Sequence, residues 1–187
     1  MDAFIASTLL VALAEIGDKT QLLSFVLAAR LRRPGAIIAG ILVATLANHA
    51  FAGWIGTLIA NQLPADSLRW ATGIVFILFG IWTLKPDELD DDEAPASGAR
   101  SAFITTTIAF FIAEMGDKTQ FATIALAAKY DALLWVVAGT TLGMLAANIP
   151  AVLVGERLAE RLPLKAIRWA AAVVFVLTGV LTLTGTA

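Results

Sequence analysis

Laid against itself at an offset of 99 residues, the chain repeats without a gap: residues 1–88 align with 100–187, and 32 of those 88 positions are identical. Identities run the length of the unit, from Leu27-Ala28-Ala29 with Leu126-Ala127-Ala128 to Leu63-Pro64 with Leu162-Pro163 and Arg69-Trp70-Ala71 with Arg168-Trp169-Ala170. The chain is therefore a duplicated unit, and whatever one half folds into the other must fold into as well. The most similar stretch is AEIGDKTQ at Ala14–Gln21, which returns as AEMGDKTQ at Ala113–Gln120, each copy set inside a long apolar segment.

Those segments decide the class of protein. Of 187 residues, 59% are apolar, there is no cysteine and one histidine, and the mean hydropathy is +0.83. This is the composition of an integral membrane protein and not of a soluble domain. A formal charge of −2 offers no basic surface to nucleic acid, and the lack of cysteine excludes thiolate metal sites.

Stretches of about 20 apolar residues predict six helices, at residues 3–29, 35–60, 67–84, 102–128, 133–155 and 165–184. The fold expected is an all-α integral membrane protein of six transmembrane helices. Only Asp2 precedes the first apolar stretch, without a basic segment, so that stretch is expected to be a retained helix and not a signal peptide. Three crossings per unit are odd in number, so the second unit is expected to enter the bilayer from the side opposite to the first, giving two inverted three-helix repeats. The units are 1–84 and 102–187, joined by an acidic linker at 85–101, and the two are expected to form one domain, transport being the function that inverted repeats most often serve.

Basic residues set the expected orientation. Arg30, Arg32, Arg33, Lys85, Arg100, Arg157, Arg161, Lys165 and Arg168 follow the first, third and fifth helices, whereas the opposite loops hold Arg69 and Lys129. By the positive-inside rule the first set is cytoplasmic and both termini lie outside. The linker, with six acids between Asp87 and Glu93 followed by a Pro/Ala/Ser/Gly tail, then reads as a solvated cytoplasmic hinge.

Within each repeated octapeptide stand two acids and a lysine. Each such group costs ~2.5 to 3.5 kcal/mol at the centre of a spanning helix, so six of them point to function. A continuous helix over 3–29 would be ~40 Å long against a hydrocarbon core of ~30 Å. The helix must tilt, bend or break, and Gly17 and Gly116, near the centres of the first and fourth spans, mark the expected irregularity. Glu15, Asp18 and Gln21 fall at intervals of three and share one helical face, as do Glu114, Asp117 and Gln120. Brought together, the two motifs would gather four carboxylates, two amides and the Thr20 and Thr119 hydroxyls, an all-oxygen set suited to a hard divalent cation such as Ca²⁺, Mg²⁺ or Mn²⁺. Crowding and burial oppose full ionisation of the empty set, so protons are expected to replace the departing metal.

Lys19 and Lys118 allow three readings. Each can neutralise the Glu four residues before it, Glu15 or Glu114, so that the helix inserts; each can hold a carboxylate deprotonated until metal displaces it; or each can meet an anionic substrate. Asn48, His49 and Asn148 on the second and fifth helices are possible auxiliary ligands, although such residues more often make interhelical hydrogen bonds. Ser24 and Thr123 are weaker candidates. Pro150 is placed to kink the fifth helix, and Trp70, Trp82, Trp135 and Trp169 read as interfacial belt residues.

The paired EIGDKT and EMGDKT strings, each opening a three-helix unit around an acidic central segment, resemble the family of small membrane cation exchangers that includes the eukaryotic Golgi transmembrane protein 165. The resemblance covers nearly the whole chain, and the doubled Glu-x-Gly-Asp-(Lys/Arg)-(Thr/Ser) motif is specific. It implies export of Mn²⁺ or Ca²⁺ against protons, with Glu15, Asp18, Glu114 and Asp117 as the metal site and no prosthetic group. The length resembles that of bacterial members, in which manganese export across the inner membrane is the usual assignment. Two other classes are compatible with parts of the pattern. An exporter of small organic solutes would use Lys19 or Lys118 to bind a carboxylate, and an intramembrane hydrolase would use the acids with His49.

Overall fold

The computed structural model describes residues 1–85, 101–154 and 163–186, and these form eight helices. They are α1 (Asp2–Glu15), α2 (Lys19–Leu31), α3 (Pro34–Gln62), α4 (Ala65–Thr83), α5 (Ala102–Glu114), α6 (Lys118–Tyr130), α7 (Leu133–Val154) and α8 (Leu164–Thr184). No strand occurs among the described residues. Most of the acidic linker, 86–100, lies outside them.

Four of the helices, α3, α4, α7 and α8, are long and apolar enough to cross a membrane. They match the expected second, third, fifth and sixth spans to within about two residues at each end. The expected first and fourth spans are each broken in two, α1 with α2 and α5 with α6, and the breaks fall at Gly17 and Gly116 where the irregularity was expected.

Local chemistry sets the boundaries. Pro34 opens α3 at its first turn, where a missing N–H is harmless, and Pro64 and Pro163 stand at the N-caps of α4 and α8. Arg32 and Asp131, equivalent at the offset of 99, both adopt left-handed backbone, φ 52° and 46°, and close α2 and α6 through N–H bonds to the Ala28 and Ala127 carbonyls. The helix α7 continues through Pro150.

The halves interleave. The broken pair α1 and α2 packs on α7 of the second half, and the pair α5 and α6 packs on α3 of the first, while α4 pairs with α8. In a hydrocarbon medium such contacts depend on van der Waals fit and small residues, since burial from lipid supplies no hydrophobic drive. Gly139 provides that fit for α7: a methyl group there would fall 2.5 Å from the Phe4 carbonyl oxygen and 3.0 Å from Ser7. Its counterpart Gly40 gives α3 the same approach to Phe103 and Thr106, the counterparts of Phe4 and Ser7. Phe76 and Phe175, another equivalent pair, are buried and stack with ring centroids 6.4 Å apart. The duplication thus extends from sequence to contacts. Around this packing the outer faces are apolar: Trp70, Trp82, Trp135 and Trp169 are all exposed, as are Leu78, Ile81, Leu153 and Leu177.

Candidate metal centre

Each break is built by the motif itself. After Glu15 the backbone extends at Ile16 (φ −67°, ψ 113°), turns left-handed at Gly17 (φ 84°), and resumes with Asp18 as the N-cap of α2. Met115, Gly116 (φ 79°) and Asp117 repeat the path. A positive φ of this size is open to glycine and costs other residues ~1 to 2 kcal/mol, which is why the third residue of the motif carries no side chain.

The glutamines hold the breaks together. Gly17 N–H donates to Gln21 Oε1 at 2.9 Å and Gly116 N–H to Gln120 Oε1 at 2.8 Å, satisfying a backbone donor that the broken helix would leave unpaired. Gln21 also donates from Nε2 to the Ala147 carbonyl of α7 at 3.0 Å. Both amides therefore brace the backbone. The shared helical face expected for Glu15, Asp18 and Gln21 does not exist, because Glu15 ends one helix and Asp18 caps the next.

Three of the acids, Glu15, Glu114 and Asp117, nevertheless converge, and Asp18 meets the other repeat through Lys118. Glu15 and Glu114 are fully buried, and Asp18 and Asp117 are 2% and 6% exposed. The Thr20 hydroxyl donates to Glu15 Oε2 at 2.5 Å and the Thr119 hydroxyl to Glu114 Oε2 at 3.0 Å. Asp18 Oδ1 accepts the Lys19 N–H at 2.9 Å and lies 3.4 Å from Lys118 Nζ; Asp117 Oδ1 lies 4.0 Å from Lys19 Nζ. These two ion pairs cross between the halves. The ladder on which an i, i+4 pairing of Glu15 with Lys19 was expected is interrupted at the break between them.

One oxygen on each acid is buried and has no hydrogen-bond partner among the described residues: Glu15 Oε1, Asp18 Oδ2, Glu114 Oε1 and Asp117 Oδ2. Glu15, Glu114 and Asp117 each offer an oxygen within 4.8 Å of the others. Three oxygens so spaced lie close enough for a single hard cation to draw on all of them. Four carboxylates and two ammonium groups carry a formal charge of −2, which one divalent cation balances.

The flanking polar residues divide. Asn148 accepts from the Ser24 hydroxyl at 2.7 Å and donates to the Met144 carbonyl at 3.1 Å, and Asn48 donates to the Phe111 carbonyl at 3.1 Å, so both make the interhelical bonds that such residues usually make. Thr123 donates within its own helix to the Thr119 carbonyl. His49 is fully buried with neither ring nitrogen bonded among the described residues. The surroundings of the two breaks also differ: a methyl group at Gly17 would meet Leu164 Cδ2 at 3.0 Å, whereas nothing lies within 4 Å of the same position at Gly116.

The profile of the divalent cation/proton antiporter GDT1 matches residues 3–91 and again 102–187, both repeats with their motifs. The chain belongs to the GDT1 family. It is 51% identical over 183 residues, covering 97% of this chain and 90% of its relative, to the "Putative manganese exporter" of Vibrio cholerae serotype O1. It is 32% identical to the GDT1-like protein sll0615 of Synechocystis, with 96% of each chain covered. It is 30% identical to protein PAM71, chloroplastic, of Arabidopsis thaliana over 96% of this chain and 56% of that one. No solved structure matches. As a GDT1 protein the chain is a membrane antiporter of divalent cations and protons and not an enzyme, so the hydrolase and organic-solute readings are set aside.

Proposed function

We propose that this GDT1 protein exports Mn²⁺, or Ca²⁺, in exchange for protons through one site formed by Glu15, Asp18, Glu114 and Asp117 near the membrane midplane. The observation that carries the reading is the single unpartnered, buried oxygen on each of the four acids. Buried polar atoms are ordinarily satisfied, and acids so left, three of them with an oxygen within 4.8 Å of the others, are what a transported cation would bind. Manganese is favoured over calcium by the description of the Vibrio cholerae relative, since carboxylate oxygens serve both ions.

In this reading α1 with α2, and α5 with α6, each cross the bilayer as one broken span. At 13 or 14 residues apiece the half-helices are ~20 Å long, too short to cross alone. Six crossings in two inverted repeats, 1–84 and 102–187, follow, with both termini outside, residues 85–101 in the cytoplasm and the protein in a bacterial inner membrane. Support comes from the nine-to-two division of basic residues and from the reciprocal packing of each broken pair on the other half's long helix. The α1 and α5 helices end at the centre, and such half-helix C-termini present the negative end of the peptide dipole to a cation.

Lys19 and Lys118 act as charge balance. With metal bound the centre is neutral; when the ion leaves, the charge of −2 is matched by two protons at the same oxygens, and competition for those oxygens couples the fluxes. Thr20 and Thr119 orient the glutamates, and Gly17, Gly116, Gln21 and Gln120 hold the breaks. The test is uptake of ⁵⁴Mn and ⁴⁵Ca by proteoliposomes with and without a pH gradient. Metal flux driven by an opposing proton gradient is expected, and metal flux indifferent to that gradient would overturn the coupling.

A further inference from the structure

The paired helices α4 and α8 carry a second feature, built from none of the four acids. At the start of α8, Lys165 and Arg168 line a cavity of about 340 Å³ with Leu84 and Trp169. The Arg168 Nε is buried there with no hydrogen-bond partner among the described residues, a donor that is costly to leave unmet. Lys85 follows Leu84 at the end of α4, and the first-turn N–H groups of α8 add positive potential. The cavity therefore calls for an anion.

Leu84 and Trp169 also wall a second cavity, of about 210 Å³, which runs on between the same two helices along Gly80 and Ile81 of α4 and Ala172, Val173, Val176 and Leu177 of α8. Its lining is wholly apolar in residue type. On α8 the residues at 165, 168, 169, 172, 173, 176 and 177 fall at intervals of three and four, so they form one continuous face that is cationic at one end and aliphatic beyond. From Lys165 to Leu177 the helix rises ~18 Å, close to one leaflet of a hydrocarbon core of ~30 Å. Trp169, 55% exposed, stands where the two regions meet, the level that tryptophan favours between headgroups and chains.

We propose that this α4/α8 face is a binding site for one anionic glycerophospholipid, its headgroup phosphate on Lys165 and Arg168 and one acyl chain in the groove beyond Trp169. Charge and shape select the occupant together. An inorganic phosphate would use only the first cavity, and a zwitterionic lipid would gain less from the two cations.

Native mass spectrometry of the full chain, released from detergent with phosphatidylglycerol or phosphatidylcholine of identical chains, tests the proposal. Phosphatidylglycerol is expected to bind preferentially, and Lys165→Gln with Arg168→Gln should weaken it by about five- to thirtyfold, from the ~1 kcal/mol that each basic residue contributes near an anionic surface. The charge-conserving exchange Lys165→Arg with Arg168→Lys should retain binding, and Arg69→Gln with Lys129→Gln, at the other basic positions on this chain's opposite loops, should leave it unchanged. Val173→Phe, which fills the groove, should weaken diacyl lipid binding. Equal binding of the two lipids, insensitivity to the Lys165/Arg168 pair of changes, or equally tight binding of inorganic phosphate would overturn the proposal.

Discussion

Lys118 pairs with an acid of the other repeat: its ammonium nitrogen lies 3.4 Å from Asp18 Oδ1, and Lys19 reaches back to Asp117 at 4.0 Å. The crossing ties the halves together by charge, beside the buried hydrogen bonds of Thr20 with Glu15 and of Thr119 with Glu114. It also assigns each aspartate a partner that its own octapeptide does not contain.

That pairing sets the first prediction. Asp18→Asn removes a candidate ligand and leaves Lys118, buried to 5% exposure in its side chain, without its ion-pair partner Asp18. Loss of one member of a buried pair costs ~3 to 5 kcal/mol, so a marked fall in melting temperature and loss of transport are expected. Adding Lys118→Met should restore much of the melting temperature but no flux, and Lys19→Met should restore less. Proton-coupled metal flux in the Asp18→Asn, Lys118→Met protein would show that this carboxylate is dispensable.

The second prediction concerns pH. Metal binds the deprotonated acids, so acidifying the side from which metal loads favours the proton-bound form and weakens apparent affinity. The slope should approach about tenfold per pH unit for each proton displaced. Affinity that rises on acidification would contradict competition at these oxygens.

Charge conservation gives a third. If the centre exchanges one divalent ion for two protons, each turnover moves no net charge. Flux clamped with potassium and valinomycin at different membrane potentials should then vary little, and a steep dependence on potential would require another stoichiometry.

The glycines of the breaks can be separated. Gly116→Ala meets open space and so reports backbone strain alone, ~1 to 2 kcal/mol, whereas Gly17→Ala adds contact with Leu164 at 3.0 Å. Thermal unfolding should show the larger loss for Gly17→Ala, partly recovered by Leu164→Ala. Gly35→Ala, with nothing within 4 Å, should be close to neutral, and equal losses at all three positions would refute this account.

Much of this was legible in the residues. Duplication, the apolar spans and the break positions follow from spacing, hydropathy and glycine placement, because helix length in a bilayer is fixed by thickness and a left-handed residue in a break is almost always glycine. The repetition of the motif led to an expected meeting of Glu15, Asp18, Glu114 and Asp117, of which Glu15, Glu114 and Asp117 lie together, although the shared helical face on which that expectation also leaned is broken. The partners of Lys19 and Lys118 could not be expected in the same way. A spacing rule for helical neighbours assumes an unbroken helix, and the motif that suggested the rule is the place where the helix stops. The glutamines were misplaced for the same reason: read on a continuous face they point at the metal, but at a break the nearest unmet need is a backbone N–H. The basic residues of α8 served the sequence reading only as topological markers, because a cavity shared by two distant helices leaves no local signal.

Leu164 covers Gly17, and the residue at the corresponding place in the first repeat is Ala65. An alanine has no branched end to lay over Gly116 as Leu164 lies over Gly17. Duplication gave this molecule matching acids and matching bends, but divergence at a single side chain leaves the two bends unlike in what covers them, so the same substitution made at one is not interchangeable with that made at the other.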